Sequence, residues 1–368
     1  MNTLFCRTCQ TTYPLNDIRW RCNCGGLLDL NCQTTFNRTD LPARQNTLWR
    51  YREALPIAKE EHIVTFDEGF TPLTQIKYDH HTLHIKQEHL FPTGSYKDRG
   101  ATLLISQAKA LGINRVVEDS SGNAGASVAA YCARAGIECD IYVPENTSPA
   151  KLAQIQLYGA TLHRIPGTRE DTSKAVQAAA QKHFYASHVW NPFFFQGTKT
   201  FAYEIWEQLG FQEPDAILIP TGNGTLLIGA FIGFQDLLQQ RLIRKMPKLI
   251  AVQSVHCAPI KSQWDTSFTQ KKGDTLAEGI AIAQPARIDQ MLEAIYQTDG
   301  QVITVTDTET ITALKKMAQM GFYIEPTSAT AFAAISHYQK EEYERVVVPI
   351  TGHGLKATEK LLKIINDN

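Results

Sequence analysis

The chain has 368 residues, of which 43% are hydrophobic and 20% charged, a composition that predicts a folded globular protein large enough for two domains. Its 36 Lys and Arg residues balance 37 Asp and Glu residues, so no basic excess exists to attract nucleic acid or an anionic membrane. No apolar run has bilayer-spanning length, and the first residues lack the basic and apolar regions of a signal peptide. We therefore expect a cytoplasmic protein that acts on small molecules.

Two short cysteine pairs, Cys6-x-x-Cys9 and Cys22-x-Cys24, open the chain, and two glycines follow the second pair. Pairs at this spacing can fold two tight turns around one tetrahedral Zn²⁺. Four cysteine ligands leave no open position for substrate, so the metal would be structural. The second pair has one intervening residue instead of two, and four reduced thiols without a metal are the alternative.

A turn rich in Gly, Ser and Pro, residues 92–100, carries a single lysine, Lys97. Apolar residues at helical spacing follow it directly: Ala101, Leu104, Ile105, Ala108 and Leu111. The pattern predicts that Lys97 lies at the start of a helix. An ammonium near the positive end of a helix dipole gives up its proton more easily, as a Schiff-base lysine requires. A solvated lysine in a surface turn is the alternative.

Strand and helix patterns alternate through the rest of the chain. Strands are predicted at 83–86, 115–118, 139–143, 161–165, 216–220, 249–253 and 345–350. Helices are predicted at 124–135, 151–158, 226–238, 308–320, 330–338 and 355–365. The alternation predicts an α/β fold in which helices cover both faces of parallel sheets. Ligands of such folds bind in the turns that follow the carboxyl ends of strands.

Three of these turns carry residues suited to a ligand. The turn Ser120-Ser121-Gly122-Asn123-Ala124-Gly125 offers hydroxyls and backbone amides at a helix start, which suit a carboxylate. The turn Thr221-Gly222-Asn223-Gly224-Thr225 can bring backbone amides against a phosphate. Thr351 follows the last strand and can hydrogen-bond a neutral ring nitrogen. Each turn alone is also compatible with a tight connection that binds nothing.

Together these segments resemble the fold type II pyridoxal-phosphate (PLP) enzymes, and within them the threonine synthases. The resemblance implies a tryptophan synthase beta-like architecture of two parallel-sheet domains, working as a homodimer. We predict a zinc-ribbon-like segment at 1–32, a large PLP-binding domain at 33–99 and 206–368, and a small domain at 100–205.

The resemblance also implies a role for each matching residue. Lys97 holds the cofactor covalently and, once released, moves protons at the substrate Cα. Asn123 hydrogen-bonds the cofactor 3′ oxygen, and Thr351 faces the pyridine nitrogen. The substrate carboxylate is bound by Ser120, Ser121, Gly122 and Ala124. The cofactor phosphate is bound by Gly222, Asn223, Gly224 and Thr225. A hydroxyl at the ring nitrogen favours elimination and replacement over transamination.

For a threonine synthase the implied reaction converts O-phospho-L-homoserine to L-threonine and phosphate. The family usually shows Asn-Pro, an Arg, and Glu-Gly-Gln-Lys-Thr, whereas residues 191–200 here read NPFFFQGTKT. The Arg and Glu are missing, which leaves Asn191 and Lys199 as candidates for the substrate phosphate. The three phenylalanines are equally compatible with packing alone.

Other functions stay open at this point. Residues 277–282 are closer to serine/threonine dehydratases, so a related β-eliminase or β-replacement enzyme, dehydratase-like or diaminopropionate ammonia-lyase-like, is the main alternative. A zinc-ribbon protein that binds nucleic acid is disfavoured by the balanced charge. A cofactor-binding protein without catalytic activity is a further alternative.

Overall fold

The computed structural model describes residues 2–32, 34–57, 59–271, 273–339 and 344–366. The chain forms two compact units, one of Met1–Phe70 with Lys97–Thr200 and one of Thr71–Tyr96 with Phe201–Asn368. Each unit has a largely or wholly parallel sheet with helices, as the alternating pattern predicts. Among the described helices, none is long and apolar enough to cross a membrane.

The secondary structure follows the chain in this order. The strands are β1 (Thr3–Cys6), β2 (Thr12–Pro14), β3 (Leu28–Asn31), β4 (Leu73–Tyr78), β5 (His81–Lys86), β6 (Arg115–Glu118), β7 (Glu138–Pro144), β8 (Thr161–Ile165), β9 (Phe184–Tyr185), β10 (Ala216–Pro220), β11 (Lys248–Ser254), β12 (Gln301–Val305) and β13 (Val346–Pro349). The α-helices are α1 (Lys97–Ala110), α2 (Asn123–Ala135), α3 (Pro149–Leu157), α4 (Arg169–Ala179), α5 (Pro192–Thr198), α6 (Thr200–Gln208), α7 (Thr225–Gln239), α8 (Pro259–Trp264), α9 (Ile288–Gln297), α10 (Asp307–Gln319), α11 (Pro326–Ala333) and α12 (Thr358–Asn366). Short 3-10 helices lie at Arg38–Ala43, Leu48–Ala54, Glu60–His62, Glu88–Leu90, Glu278–Ile280, Ala334–His337 and Gly354–Ala357.

The first unit contains an antiparallel sheet of order β2-β1-β3 and a parallel sheet of order β8-β7-β6-β9. In the parallel sheet Val116 and Val117 of β6 are fully buried, because helices cover the sheet. Val117 lies opposite Tyr185 of β9, so the carboxyl ends of β6 and β9 are adjacent. The segments that follow these two strands therefore begin side by side.

Helices α1 and α5 approach each other closely inside the first unit. A Cβ atom on Gly197 would overlap the carbonyl oxygen of Arg99, and one on Gly100 would overlap the Phe194 ring. Only glycine permits these backbones to come so near. The start of α1, at Lys97, is thereby fixed against α5.

Residues 34–57 and 59–70 belong to the first unit, whereas the sequence analysis grouped 33–99 with the large domain. Hydrogen bonds explain the grouping. The Val64 amide donates to Ser106 Oγ at 2.9 Å, and Thr102 Oγ1 donates to the Val64 carbonyl at 2.6 Å. Trp49 Nε1 also donates to Thr102 Oγ1, at 3.3 Å, so this segment is attached to α1.

The second unit has a sheet of order β12-β11-β10-β13-β5-β4, in which β4 runs antiparallel to β5 and the other neighbours are parallel. Every residue of β10 and β13 is buried, as expected for central strands covered on both faces. The turn residues 221–225 follow the carboxyl end of β10, and Thr351 follows that of β13.

Several helices differ from the prediction. Helices α5 and α6 were not predicted, because they are buried on most sides and so lack a one-sided apolar stripe. Helices α4 and α9 and strands β4 and β12 were also missed. The helix predicted at 330–338 begins earlier, at Pro326, because Glu325 is extended and Pro favours the first helical turn.

Candidate active site

The predicted site residues are divided between the two units. The cysteine pairs, Lys97, the turn 120–125, Asn191 and Lys199 belong to the first, and the turn 222–225 and Thr351 belong to the second.

Lys97 is the first residue of α1, as the sequence predicts, and its side chain is half-buried. The next two residues anchor the helix start. Asp98 accepts a hydrogen bond from Ser127 Oγ at 2.5 Å, and Arg99 Nη1 donates to Thr200 Oγ1 at 2.9 Å. Both anchors are fully buried, so the backbone that carries Lys97 has a fixed position.

The turn 120–125 follows β6 directly, and α2 begins inside it at Asn123. Ser120, Ser121 and Asn123 are half-buried, Gly122 is exposed and Ala124 is buried. The Gly122 amide donates to Ser120 Oγ at 3.3 Å. Amides at the start of a 13-residue helix suit a carboxylate, which is the role predicted for this turn.

The turn 222–225 connects β10 to α7. Gly224 caps α7 with a φ of +74°, and a Cβ atom there would overlap Met291 Sδ. A Cβ on Gly222 would lie 2.8 Å from the Cα of Ile280. Asn223 is half-buried between them. The turn is thus held closely by neighbouring segments and opens a 15-residue helix, an arrangement suited to a phosphate.

Two further hydroxyls precede Lys97, and one of them contacts this turn. Tyr96 OH and Thr225 Oγ1 are 2.7 Å apart. Ser95 Oγ is buried and has no hydrogen-bond partner in the described part of the chain. The sequence alone indicates no role for Ser95 or Tyr96, the two residues before Lys97.

Thr351 lies in a buried hydroxyl cluster that the sequence did not reveal. Its Oγ1 is 2.9 Å from Ser328 Oγ and 3.4 Å from Glu325 Oε1. Ser328 Oγ also accepts the amides of Thr351 and Gly352, at 3.0 and 3.1 Å. The corresponding feature of the sequence is the Glu-Pro-Thr-Ser-Ala stretch at 325–329.

Asn191 and Lys199 are buried at opposite ends of α5. Asn191 caps the helix, since its Oδ1 accepts the Phe193 amide at 3.1 Å. Lys199 is 1% exposed, and its Nζ donates to Thr34 Oγ1 at 3.3 Å. The substrate-binding role of both residues stays a prediction. The three phenylalanines 193–195 are all buried, as the packing interpretation expects.

A group of buried charges that the sequence analysis missed lies at the carboxyl ends of β6 and β9. Glu118 Oε1 is 2.7 Å from His188 Nδ1. Asp119 accepts a hydrogen bond from Tyr185 OH at 2.7 Å and pairs with Arg169 Nη2 at 2.7 Å. The adjacent acids Glu118 and Asp119, directly before the turn 120–125, are the feature of the sequence that could have indicated this group.

Burial shifts the pKa values of several of these groups. It raises the pKa of Glu118 well above its usual range. Burial, together with the positive charge of Lys97, lowers the pKa of His188 to about 3. In the second unit burial, together with the neighbouring His353, lowers the pKa of His89 to about 4. Both imidazoles are therefore neutral near pH 7.

The four predicted cysteine ligands converge in the first unit. The Sγ atoms of Cys6, Cys9, Cys22 and Cys24 all lie within 4.8 Å of one another, with Cys9 and Cys22 3.5 Å apart and Cys6 and Cys24 3.6 Å apart. A tetrahedron with Zn–S bonds of about 2.3 Å has edges of about 3.8 Å. The amides of residues 8 and 9 approach Cys6 Sγ at 3.4 and 3.5 Å. Such contacts stabilise a thiolate, and the cluster fits Zn²⁺.

Comparison with known proteins identifies the class. Residues 64–352 match the family described as pyridoxal-phosphate dependent enzyme, and the chain belongs to that family. The chain is 34% identical to the threonine synthase of Methanocaldococcus jannaschii, over 97% of this chain and 94% of that protein. It is 35% identical to the threonine synthase of Mycobacterium tuberculosis, over 85% and 89%. It is a threonine synthase-like PLP-dependent enzyme, as its motifs indicate.

A solved structure shares the fold. The serine racemase of Dictyostelium discoideum superimposes with a TM-score of 0.68 at 27% identity, covering 84% of this chain and 99% of that one. The predicted fold type II architecture is therefore confirmed.

The chain's own residues fit the cofactor. The glycines of the turn 222–225 let its backbone pack against Ile280 and Met291 at the start of α7, where helix amides suit the cofactor phosphate. The Thr351–Ser328 pair offers neutral hydroxyls of the kind that suit an unprotonated pyridine nitrogen. Lys97 begins a helix whose first turn is anchored on buried partners.

Proposed function

We propose that this protein is a threonine synthase, which converts O-phospho-L-homoserine to L-threonine and phosphate. The observation that best supports this proposal is the position of Lys97. It lies at the anchored start of α1, in the same unit as the serine-rich turn that follows β6. The similarity to threonine synthases over almost the whole chain supports the choice of substrate.

In the proposed reaction each group has one task. PLP, when bound, supplies an electron sink for the carbanion at Cα. Lys97 carries the cofactor and, once released by substrate, takes the Cα proton on Nζ. The turn 120–124 holds the substrate carboxylate through amides and hydroxyls, and Asn123 orients the cofactor 3′ oxygen. The amides of 222–225 bind the cofactor phosphate, and Thr351 gives the ring nitrogen a neutral partner.

A second candidate is a PLP-dependent β-eliminase or β-replacement enzyme that acts on serine, threonine or diaminopropionate. One observation favours it. Lys199 is the single Lys or Arg in residues 187–200, and it is buried against Thr34. Phe194, which lies between the Asn-Pro pair and Lys199, is fully buried and packs on α1. A second substrate phosphate normally requires charge-assisted hydrogen bonds.

The deciding experiment combines a spectrum with an assay. We expect the purified protein to show a PLP absorbance band that Lys97→Ala abolishes and that Lys109→Ala, a change at an exposed lysine of the same helix, preserves. We expect phosphate release from O-phospho-L-homoserine. A band without phosphate release, but with keto acid and ammonia from serine, threonine or diaminopropionate, would establish the second candidate. The absence of a band would refute both.

Three finer features belong to the same proposal. We propose that the cysteine cluster holds one structural Zn²⁺ per chain, that the enzyme is a homodimer, and that it works in the cytoplasm. Metal analysis, light scattering and cell fractionation test these features separately from the activity.

A further inference from the structure

The Glu118–His188 pair has no task in the reaction described above, yet it lies at the edge of the sheet where ligands bind. The Ala186 amide donates to the Val117 carbonyl at 2.9 Å, so the chain leaves β9 alongside the end of β6. Glu118 Oε1 and His188 Nδ1 are 2.7 Å apart, and Glu118 is fully buried while His188 is 6% exposed. The carboxylate-binding turn begins two residues after Glu118.

His188 and Lys97 flank the same aromatic ring. The ring centroid of Phe194 lies 6.0 Å from that of His188 and 6.0 Å from Lys97 Nζ. The effect of the Lys97 charge on His188 is the electrostatic consequence of this proximity. His188 is therefore a titratable group near the reactive lysine in the first unit.

Burying this pair is costly unless it serves a purpose. A carboxyl and an imidazole lose their hydration, and Glu118 Oε2 has no hydrogen-bond partner among the residues that the structure describes. The next acid, Asp119, already accepts a hydrogen bond from Tyr185 OH and forms an ion pair with Arg169. Strongly perturbed groups beside a reactive residue are typical of catalytic sites.

The protonation state of the pair follows from its surroundings. Burial raises the pKa of Glu118 and lowers that of His188, so the shared proton lies on Glu118. Glu118 then donates to Nδ1, and the ring hydrogen is on Nε2. His188 presents a neutral N–H donor, whose proton can be replaced through Nδ1.

We propose that the Glu118–His188 pair is the general acid for the leaving group of the substrate, an inference that rests on the proposed function. As the Cγ–O bond breaks, a Cβ–H bond also breaks: its electron pair forms the Cβ–Cγ double bond, and its proton ends on Cγ. The electron pair of the Cγ–O bond passes to the phosphate oxygen, which takes the proton from His188 Nε2. The Glu118 proton moves to Nδ1, and Glu118 becomes a carboxylate. The water that adds at Cβ gives its hydroxyl to carbon and its proton to the pair, so the cycle closes.

The test compares leaving groups that do and do not need a proton. The variants are His188→Asn and Glu118→Gln, with His163→Asn as the matched control. His163 forms a partly buried pair with Asp140 in the same unit, at 3.1 Å. The substrates are O-phospho-L-homoserine and (S)-2-amino-4-chlorobutyrate, whose chloride leaves without a proton. The PLP band and exchange of the Cα proton of L-2-aminobutyrate in D₂O are recorded for every variant.

We expect His188→Asn to lower kcat/KM about 10²- to 10⁴-fold for the phosphate substrate and less than about tenfold for the chloride, with a smaller loss of the same kind for Glu118→Gln. The band and the Cα exchange should stay unchanged in both variants, and the control should match the wild type. Equal losses for the two substrates, or no loss in either variant, would overturn the inference.

Measurements on the wild-type protein test the proposed function separately from the role of the pair. A wild-type protein without a band or without Cα exchange is not a PLP enzyme of this type. A wild-type enzyme that acts on L-serine instead of O-phospho-L-homoserine refutes the substrate assignment. In that case L-serine and 3-chloro-L-alanine make the same comparison of leaving groups, and the ratio of their losses in His188→Asn still decides the role of the pair.

Discussion

Lys86 and Glu204 form a buried ion pair in the second unit. The effect of breaking this pair on the free energy of unfolding can be calculated. Lys86 Nζ is 2.7 Å from Glu204 Oε2, and both side chains are completely buried. The ammonium also donates to the Thr71 carbonyl at 2.6 Å and to Gln208 Oε1 at 2.9 Å. All three ammonium hydrogens therefore have an acceptor, and Lys86→Met removes three hydrogen bonds and one charge.

The magnitude follows from the separation and the burial. At an effective dielectric constant near 20, charges 2.7 Å apart attract by about 6 kcal/mol. Desolvation of both ions offsets most of this attraction. Removing one partner leaves the other charge buried, and we expect Lys86→Met to lower the free energy of unfolding by about 3–5 kcal/mol. The double variant Lys86→Met/Glu204→Leu should be more stable than Lys86→Met alone, because it carries no unpaired charge.

Equilibrium urea denaturation measures these differences, followed by circular dichroism and by tryptophan fluorescence, to which Trp206, fully buried in the second unit, contributes. Lys245→Met is the matched control, because Lys245 pairs with Asp215 at 2.9 Å but is 63% exposed. We expect the control to change stability by no more than about 1 kcal/mol. A Lys86→Met variant as stable as the control, or a double variant less stable than Lys86→Met, would refute the reasoning.

Three further predictions concern the metal cluster, the helix contact and the buried imidazoles. Cys22→Ser should lose the bound zinc that a chromogenic chelator detects, whereas Cys32→Ser, a thiol outside the cluster, should retain it; full zinc in Cys22→Ser would contradict the assignment. Gly197→Ala should cost about 1–3 kcal/mol of unfolding free energy, because its Cβ overlaps α1; an unchanged urea midpoint would argue against the close contact. The pKa of His89 is lowered from 6.5 to about 4 in the folded protein. As the pH drops below 6.5, His89 therefore becomes protonated in the unfolded chain before it does in the folded protein, and the free energy of unfolding falls. From pH 7 to pH 5 the wild type should lose about 2 kcal/mol more than His89→Asn; equal losses would exclude this linkage.

The sequence predicted the parts of the fold that depend on local patterns. Strands β6, β8 and β10 have the predicted bounds, and α1 begins at Lys97. Apolar periodicity and turn residues are local, since they reflect which face of a strand or helix a neighbouring layer covers. The cysteine spacing is local for the same reason, because each pair belongs to one tight turn.

The site residues that recognise cofactor and substrate were predicted through combined motifs, and their assignments remain predictions. Their partners were not predictable in this way. The hydroxyl pair of Ser328 and Thr351 joins residues 23 positions apart, and nothing in either stretch specifies the other. Helices α5 and α6 were missed because burial on most sides erases the amphipathic signal on which a sequence prediction depends.

Short-range spacing in the sequence is therefore enough to predict the α/β class, the position of Lys97 at the start of α1 and the cysteine cluster. Which buried charges meet depends on the tertiary structure. Glu118 and His188 are separated by 70 residues, and Lys86 and Glu204 by 118. Such pairs form where the order of parallel strands and the packing of helices bring distant segments to one edge, and their energies depend on burial that no local pattern records.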